Sequence, residues 1–572
     1  MKKYSSYLIL TVLSGFLSFH SCETTELDIT SDPNALTPNQ ASVDFFLSSI
    51  QEDFIRQFEG TADFDPNDNF QSGGNTIGDG FNELGMQLTR MLNMSGRSYP
   101  SVYQGSDMDD EWINAYLGIM GDLRAMYPLA EESELSHHIG IGQFIEAFLL
   151  VTMVDFFGDV PYSEIIQAGE GNFNPKLDPG ADVYNVALSL IDNAIANFNS
   201  NAVNPANDLF YNNDYSQWIR AANTLKMKIY LQTRLVDANA VANFNTIVNS
   251  GNYIQATADD FEYNWPATSA SQPDTRHPRY GLNYTSSGGA DYMSNWLMNL
   301  MDTTDDPRIR YYFYRQTNAV PGAEIPPNEQ LLNCSLQTPP PHYSSGGFTF
   351  CWLNNGYWGR DHGDTEGTPP DGLLRTTFGT YPAGGKFDDN GFEPINATAG
   401  GGGNGVTVLL SAFNVDFMRA EIALAQGQPA IARDFMLTAY DKSVSKVQAF
   451  LLGREDGADI SFEPSDTEIA SYRTTIASNF DAAPAEGPGS KWDVLAEQYW
   501  IAHFGNGVDP YNFYRRTLYP TTLQPNREPN PGTFVMSMYY PSNSVNNNSS
   551  ISQKTDQAQP VFWDNSGVPP AN

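Results

Sequence analysis

The sequence is poor in charge, and in basic residues above all. Of 572 residues only 17% are charged, and 30 Lys and Arg stand against 67 Asp and Glu, a net charge of −37. So acidic a chain repels phosphates, which excludes a nucleic-acid-binding surface. No internal apolar run approaches the roughly 20 residues of a membrane-spanning helix. Catalytic signatures are missing too: there is no His-Glu-x-x-His, no Gly-x-Ser-x-Gly and no Gly-Lys-Ser/Thr. Paired carboxylates can hydrolyse a glycosidic bond, but among 67 acids their presence discriminates nothing. What the chain does have is 41% hydrophobic and 13% aromatic side chains, enough to bury a large core and too much for a disordered chain.

The N-terminus reads as a secretory leader. Lys2 and Lys3 precede an apolar stretch, Tyr7–Leu17, too short to span a membrane, and Ser21 precedes Cys22. A Cys after a small residue at the cleavage point predicts a bacterial lipobox, with residues 1–21 removed and Cys22 acylated, although Phe19 and His20 depart from the usual pattern. Glu23, Glu26 and Asp28 begin an extended tether over 22–40. They resemble the acidic tract that sends lipoproteins to the outer face of the outer membrane. The other cysteines, Cys334 and Cys351, flank Thr338-Pro339-Pro340-Pro341. An oxidising compartment allows a bridge between them; two free thiols are the alternative.

Helical periodicity recurs from residue 43. Val43, Phe46, Leu47 and Ile50 form one apolar stripe, and Trp112, Tyr116, Ile119 and Leu123 another. Further stripes run through Phe144–Phe156, Val183–Phe198, Trp218–Ile229, Phe413–Leu424 and Trp492–Trp500. Each is the buried face of an amphipathic helix. Gly427 marks a helix end and Pro429 the start of its partner. The pattern predicts a mainly α fold of tetratricopeptide-like helical hairpins, a scaffold over about 41–250 and 413–505 within a single domain spanning 41–572. Between about 251 and 412, and from 506 to 572, Gly, Pro, Asn, Ser and aromatics dominate. These stretches predict an irregular, loop-rich lobe with few short strands, where binding surfaces concentrate.

Three motifs invite a site and are better read otherwise. Gly400-x-Gly402-x-x-Gly405 follows no strand pattern and reads as a flexible loop rather than a dinucleotide fingerprint. Asp63-Phe64-Asp65-Pro66-Asn67-Asp68-Asn69 resembles half a calcium loop, but Asp68 and Gly74 stand where Gly and Glu are needed, so an acidic solvated loop is expected. Arg360-Asp361-His362-Gly363-Asp364 crowds potential metal ligands too tightly for a regular site. No metal or cofactor is expected.

The aromatics of the irregular lobe say more. A flat ring covers the apolar face of a sugar while amides and Arg take its hydroxyl rim. On that logic Trp265, Tyr284, Trp352, Tyr357 and Trp358 are candidate ligand platforms, with Asn354, Asn355 and Arg360 as polar partners.

Several blocks then line up in order. Asp155-Phe156-Phe157-Gly158-Asp159-Val160-Pro161-Tyr162-Ser163-Glu164 resembles the FGDVPYSEA signature of the SusD/RagB family of nutrient-binding outer-membrane lipoproteins. The Asp214–Met227 block resembles that family's W-x-x-x-A-N-S-L-K-x-R helix, with Lys228 standing where the motif has Arg. Phe417-Met418-Arg419-Ala420-Glu421-Ile422-Ala423 is similar to its L-x-A-E-A helix. Gln498–Ala502 and Asn512–Pro520 resemble its C-terminal block, with Tyr511 and Tyr514 replacing Trp and an acid. Tyr381-Pro382-Ala383-Gly384-Gly385 and Met538–Ser542 fit the SusD-like subgroup. The resemblance implies a lipid-anchored outer-membrane protein, facing the exterior, without catalysis or a cofactor. It implies a lid that captures an oligosaccharide or another oligomeric nutrient and passes it to a SusC-like TonB-dependent β-barrel transporter. A surface-anchored glycan hydrolase is the alternative. Gly158 and Pro161 at the end of an apolar helix give the signature a structural reading; Arg515 and Arg516 either form a buried network or lie against the barrel.

Overall fold

The computed structural model describes residues 42–61, 80–165, 172–269, 274–286, 288–320, 334, 337–365, 373–455 and 457–569. Cys22, the leader, the tether and the Asp63–Asn69 loop lie outside the described residues.

Each apolar stripe becomes a helix. The first half of the scaffold includes α1 (Val43–Glu59), α2 (Gly80–Leu88), the short α3 (Asp109–Ile113), α4 (Met120–Glu132), α5 (Ser136–Phe157), α6 (Gly180–Phe198), α7 (Tyr215–Gln232) and α8 (Ala240–Ser250). The second half adds α9 (Ala412–Ala425), α10 (Pro429–Leu451), α11 (Asp466–Ala482), α12 (Lys491–Ala502) and α13 (Val508–Thr517). Local chemistry sets their ends. The Asp214 carboxylate caps α7 by accepting from the N–H groups of Ser216 and Gln217, and Ser465 with Glu468 forms a capping box on α11. Gly427, at φ 69°, closes α9, and Pro429 opens α10.

Helices α5 and α6 pack together, α7 packs on α6 and α8 on α7; α9 and α10 form a second hairpin braced by α12. Val43–Asn572 forms one compact unit. Helix α5 corrects an expectation: at 22 residues and a mean hydropathy of 1.6 it is long and apolar enough to cross a membrane, yet 89% of its apolar window is buried in protein. It is the central core helix, apolar all round because neighbours cover every side.

The irregular lobe is tied to this scaffold by short ladders. Strand β1 (Phe261–Asn264) pairs antiparallel with β4 (Val406–Leu410), joining the two ends of the lobe, and β2 (Phe313–Tyr314) pairs with β3 (Thr377–Phe378). The C-terminal stretch is less irregular than expected, since it contains α13. The Gly400–Gly405 run is packed rather than flexible. Gly401 N–H donates to Gly385 O at 3.1 Å and Gly403 N–H to Gly384 O at 3.0 Å. A Cβ at Gly400, where φ is +65°, would strike the Gly385 carbonyl. Backbone meets backbone there, which only glycine permits.

Candidate functional site

The lobe segment 337–365 is held from below at several points. Cys334 and Cys351 are joined in a disulfide. The buried Asp361 carboxylate accepts from Cys351 N–H at 2.6 Å, and from Asn295 Nδ2 and Gln524 Nε2 at 3.0 Å each. Burial pushes Asp361 up to about 6 against these hydrogen bonds. Tyr343 donates its hydroxyl to Pro525 O at 2.8 Å, and Gln524 Nε2 donates to Thr349 O at 3.0 Å.

On this base the backbone alternates. Cys351 and Leu353 point inward and are buried, while Trp352, Asn354 and Asn355 face out. Trp352 is 37% exposed, an uncommon state for so large an apolar ring. Asn355 sits at φ +63° and donates from Nδ2 to Asp302 Oδ2 at 3.2 Å. The result is an exposed ring beside two amides on a ledge whose base is fixed by a disulfide and a buried carboxylate.

The other candidate platforms are core. Trp358 is fully buried, and its indole N–H donates to Ala319 O at 2.8 Å. Trp265 is buried against Tyr263 and donates to Thr407 Oγ1 at 2.9 Å. The Tyr284 hydroxyl donates to Phe378 O at 2.6 Å and accepts from Lys386 N–H at 2.7 Å. Tyr357 lies buried under Arg315, which is itself paired with Asp388 at 2.6 Å. Their polar atoms or ring faces meet protein partners inside the fold, so none presents a face to a ligand in this conformation. Arg360 is also buried. Its guanidinium lies 4.1 Å from the centroid of Tyr292, and Arg375 lies 3.8 Å from the same ring, so Tyr292 is flanked by two guanidiniums. Neither Tyr292 nor Arg375 stood out in the sequence. In the Arg360–Asp364 cluster, Asp361 is committed as above and Asp364 pairs with Arg527 at 2.5 Å.

A family model described as "Starch-binding associating with outer membrane" matches residues 72–324, and one described as "Susd and RagB outer membrane lipoprotein" matches residues 394–560. The chain belongs to the SusD-like family. A SusD/RagB family protein from Bacteroides thetaiotaomicron has a similar structure, with a TM-score of 0.63 at 16% identity, covering 91% of this chain and 99% of that one. A chitin-binding SusD homolog from Flavobacterium johnsoniae gives a TM-score of 0.60 at 16% identity, covering 92% and 99%. A further structure named as a chitin-binding protein gives 0.58 at 19%, covering 84% and 94%. No curated protein matches the sequence. At these identities the structural likenesses establish the fold.

The SusD-like signature proves to be a structural hub. Asp155 is buried and accepts from the Tyr184 hydroxyl, from Trp563 Nε1 at 2.9 Å and from Asn512 Nδ2 at 2.6 Å. Gly158, at φ 79°, ends α5, and Asp159 Oδ1 accepts from Gly180 N–H at 2.8 Å to start α6. Arg516 grips Glu421 through two contacts of 2.7 Å, and Arg234 reaches the same carboxylate at 2.9 Å. Those two guanidiniums hold Glu421 below the usual carboxylate range despite its burial. Lys228 pairs with buried Asp509 at 2.6 Å. The signature blocks thus lock helices together. The Trp352 ledge lies in 325–393, which neither SusD-like family model matches.

Proposed function

We propose that this SusD-like protein is a lipid-anchored surface receptor that binds an oligomeric nutrient, a glycan, and delivers it unaltered to a SusC-like TonB-dependent β-barrel transporter. The observation that carries the binding half is the Trp352 ledge: an exposed indole beside Asn354 and Asn355 on a fixed base. A ring with adjacent amides suits a sugar, whose C–H face needs apolar cover and whose hydroxyls need donors and acceptors. Two similar structures bear names as chitin-binding proteins, which supports a glycan over a peptide. The family description supports the outer membrane, and Cys22 is the proposed anchor.

The test is affinity electrophoresis through a panel of neutral polysaccharides, with Trp352→Ala in parallel. Retardation by at least one glycan, weakened in the variant, supports the reading; equal migration of both proteins in every gel contradicts it.

A further inference from the structure

Away from the ledge, a cavity of about 390 Å³ opens beside α3, within the size range of roughly 300–1,000 Å³ typical of small-molecule sites. It gathers residues from distant stretches of the chain: 109–117, 161–165 with 172–175, and 541–551. After α3 the chain runs as a π-helix over Asn114–Ile119. Such wide turns recur at functional sites.

The apolar walls include Trp112, Tyr116, Leu117, Ile165, Phe173 and Ile551. The two rings are preset. Trp112 packs edge-on to Phe157 at 5.1 Å and to Tyr540 at 6.3 Å, and the Tyr116 hydroxyl donates to Pro161 O at 2.9 Å. Trp112 is only 7% exposed, yet its indole N–H has no hydrogen-bond acceptor among the described residues. Leu117 and Phe173, by contrast, are 66% and 74% exposed, and no described residue covers them.

The rim is amide. Asn548 is fixed by donating to Pro175 O at 2.8 Å. Asn547 donates to Asn543 O at 2.8 Å, which leaves its own side-chain oxygen to accept. The Asn543 side chain has no hydrogen bond among the described residues. Among the described residues no Lys or Arg lines the cavity, and the one charged lining residue is Asp109, whose Oδ1 accepts from Asn543 N–H at 2.9 Å.

We infer that this cavity is a second sugar site, built for a neutral pyranose that carries an N-acetyl group. A bare hydroxylated ring needs apolar cover on one face. Here aliphatic side chains from Leu117, Ile165 and Ile551 extend the apolar surface beyond the rings, which suits a methyl group. Amides offering both a donor and an acceptor match the acetamido group and the hydroxyls. A lining with no cation, on a chain of net charge −37, repels uronates and sulfated sugars. The inference rests on the proposal that the protein binds glycans but shares no residue with the Trp352 ledge.

The experiment follows the indole N–H resonance of Trp112 in protein labelled with ¹⁵N at tryptophan, assigned with Trp112→Phe. The probes are N,N′-diacetylchitobiose and cellobiose. The expected result is a saturable shift of the Trp112 signal by the acetylated disaccharide, at a concentration at least tenfold below that needed with cellobiose. Leu117→Asp and Asn543→Ala, both at exposed positions, weaken that response at least fivefold while the remaining indole signals keep their positions. Trp352→Ala leaves it unchanged. A Trp112 signal that stays still, or moves equally with both sugars, overturns the inference. If Trp352→Ala abolishes glycan retardation while Trp112 never responds, the ledge stands and the cavity falls; if Trp112 responds and the ledge variant changes nothing, the reverse holds.

Discussion

The Asp361 carboxylate accepts a hydrogen bond from the backbone N–H of Cys351 at 2.6 Å, and Cys351 is disulfide-bonded to Cys334. One buried acid and one covalent link therefore fix the residue that immediately precedes Trp352. The ring on the ledge is presented by this pair.

Replacing both Cys334 and Cys351 by Ser frees a loop of sequence separation 17, which corresponds to about 3 kcal/mol of lost chain restraint. The expected outcome is earlier proteolysis within 337–365 and weaker glycan binding, with the helical scaffold unchanged by circular dichroism. Limited proteolysis with and without reductant on the wild type gives the same comparison.

Two tryptophans six residues apart have opposite roles. Trp352→Ala lowers glycan affinity at least tenfold, about 1.4 kcal/mol, and leaves the melting temperature nearly unchanged, because the ring is 37% exposed. Trp358→Ala removes a fully buried ring and costs about 3–5 kcal/mol of stability. Calorimetric melting and ligand titration on both variants separate the two effects.

Arg516→Ala leaves Glu421 buried with one of its two guanidinium partners gone, and destabilises the fold by about 3–5 kcal/mol. A variant that melts like the wild type but no longer co-purifies with the proposed transporter would move this residue from the core network to a proposed interface. Chemical denaturation is the measurement.

Glu59, at the end of α1, is pushed up to about 7 by burial, which outweighs its hydrogen bond from Asn82 Nδ2 at 2.7 Å. The folded state therefore holds a proton that the unfolded state, with an ordinary carboxyl near 4.5, releases earlier. This group's contribution is full below about pH 4.5 and is lost as pH rises toward 7, about 3 kcal/mol in all. Glu59→Gln removes that dependence. The stability difference between wild type and variant, followed by urea titration from pH 4.5 to 8, moves in the variant's favour as pH rises.

Cys22→Ala abolishes the proposed acylation site. The expected outcome is release of the protein from the membrane fraction; continued sedimentation with membranes contradicts the anchor.

Much of the scaffold was legible because helical stripes repeat every three to four residues and burial follows the repeat. The stripe at Trp112 and Tyr116 shows the limit of that signal. It identifies a packed face, but not that the face also lines a cavity, since the opposite wall comes from residues 541–551. In the lobe no period exists, so composition could nominate aromatics without separating Trp352 from Trp358. What separates them is tertiary: Trp358 finds an acceptor at Ala319, 39 residues away, and Trp265 finds Thr407, 142 residues away. The glycine run misled for a related reason. Gly400 and its neighbours serve the backbone of Gly384 and Gly385, a contact that no local window contains.

The central claim is that the ledge binds a glycan and releases it intact. Isothermal titration of the mature protein with a neutral oligosaccharide panel, followed by chromatography of the recovered sugar, tests it most directly. The account predicts heat of binding with at least one glycan, at least tenfold weaker binding by Trp352→Ala, and recovery of the oligosaccharide at its original length. Absence of heat with every glycan, or shortened products after incubation, would contradict it.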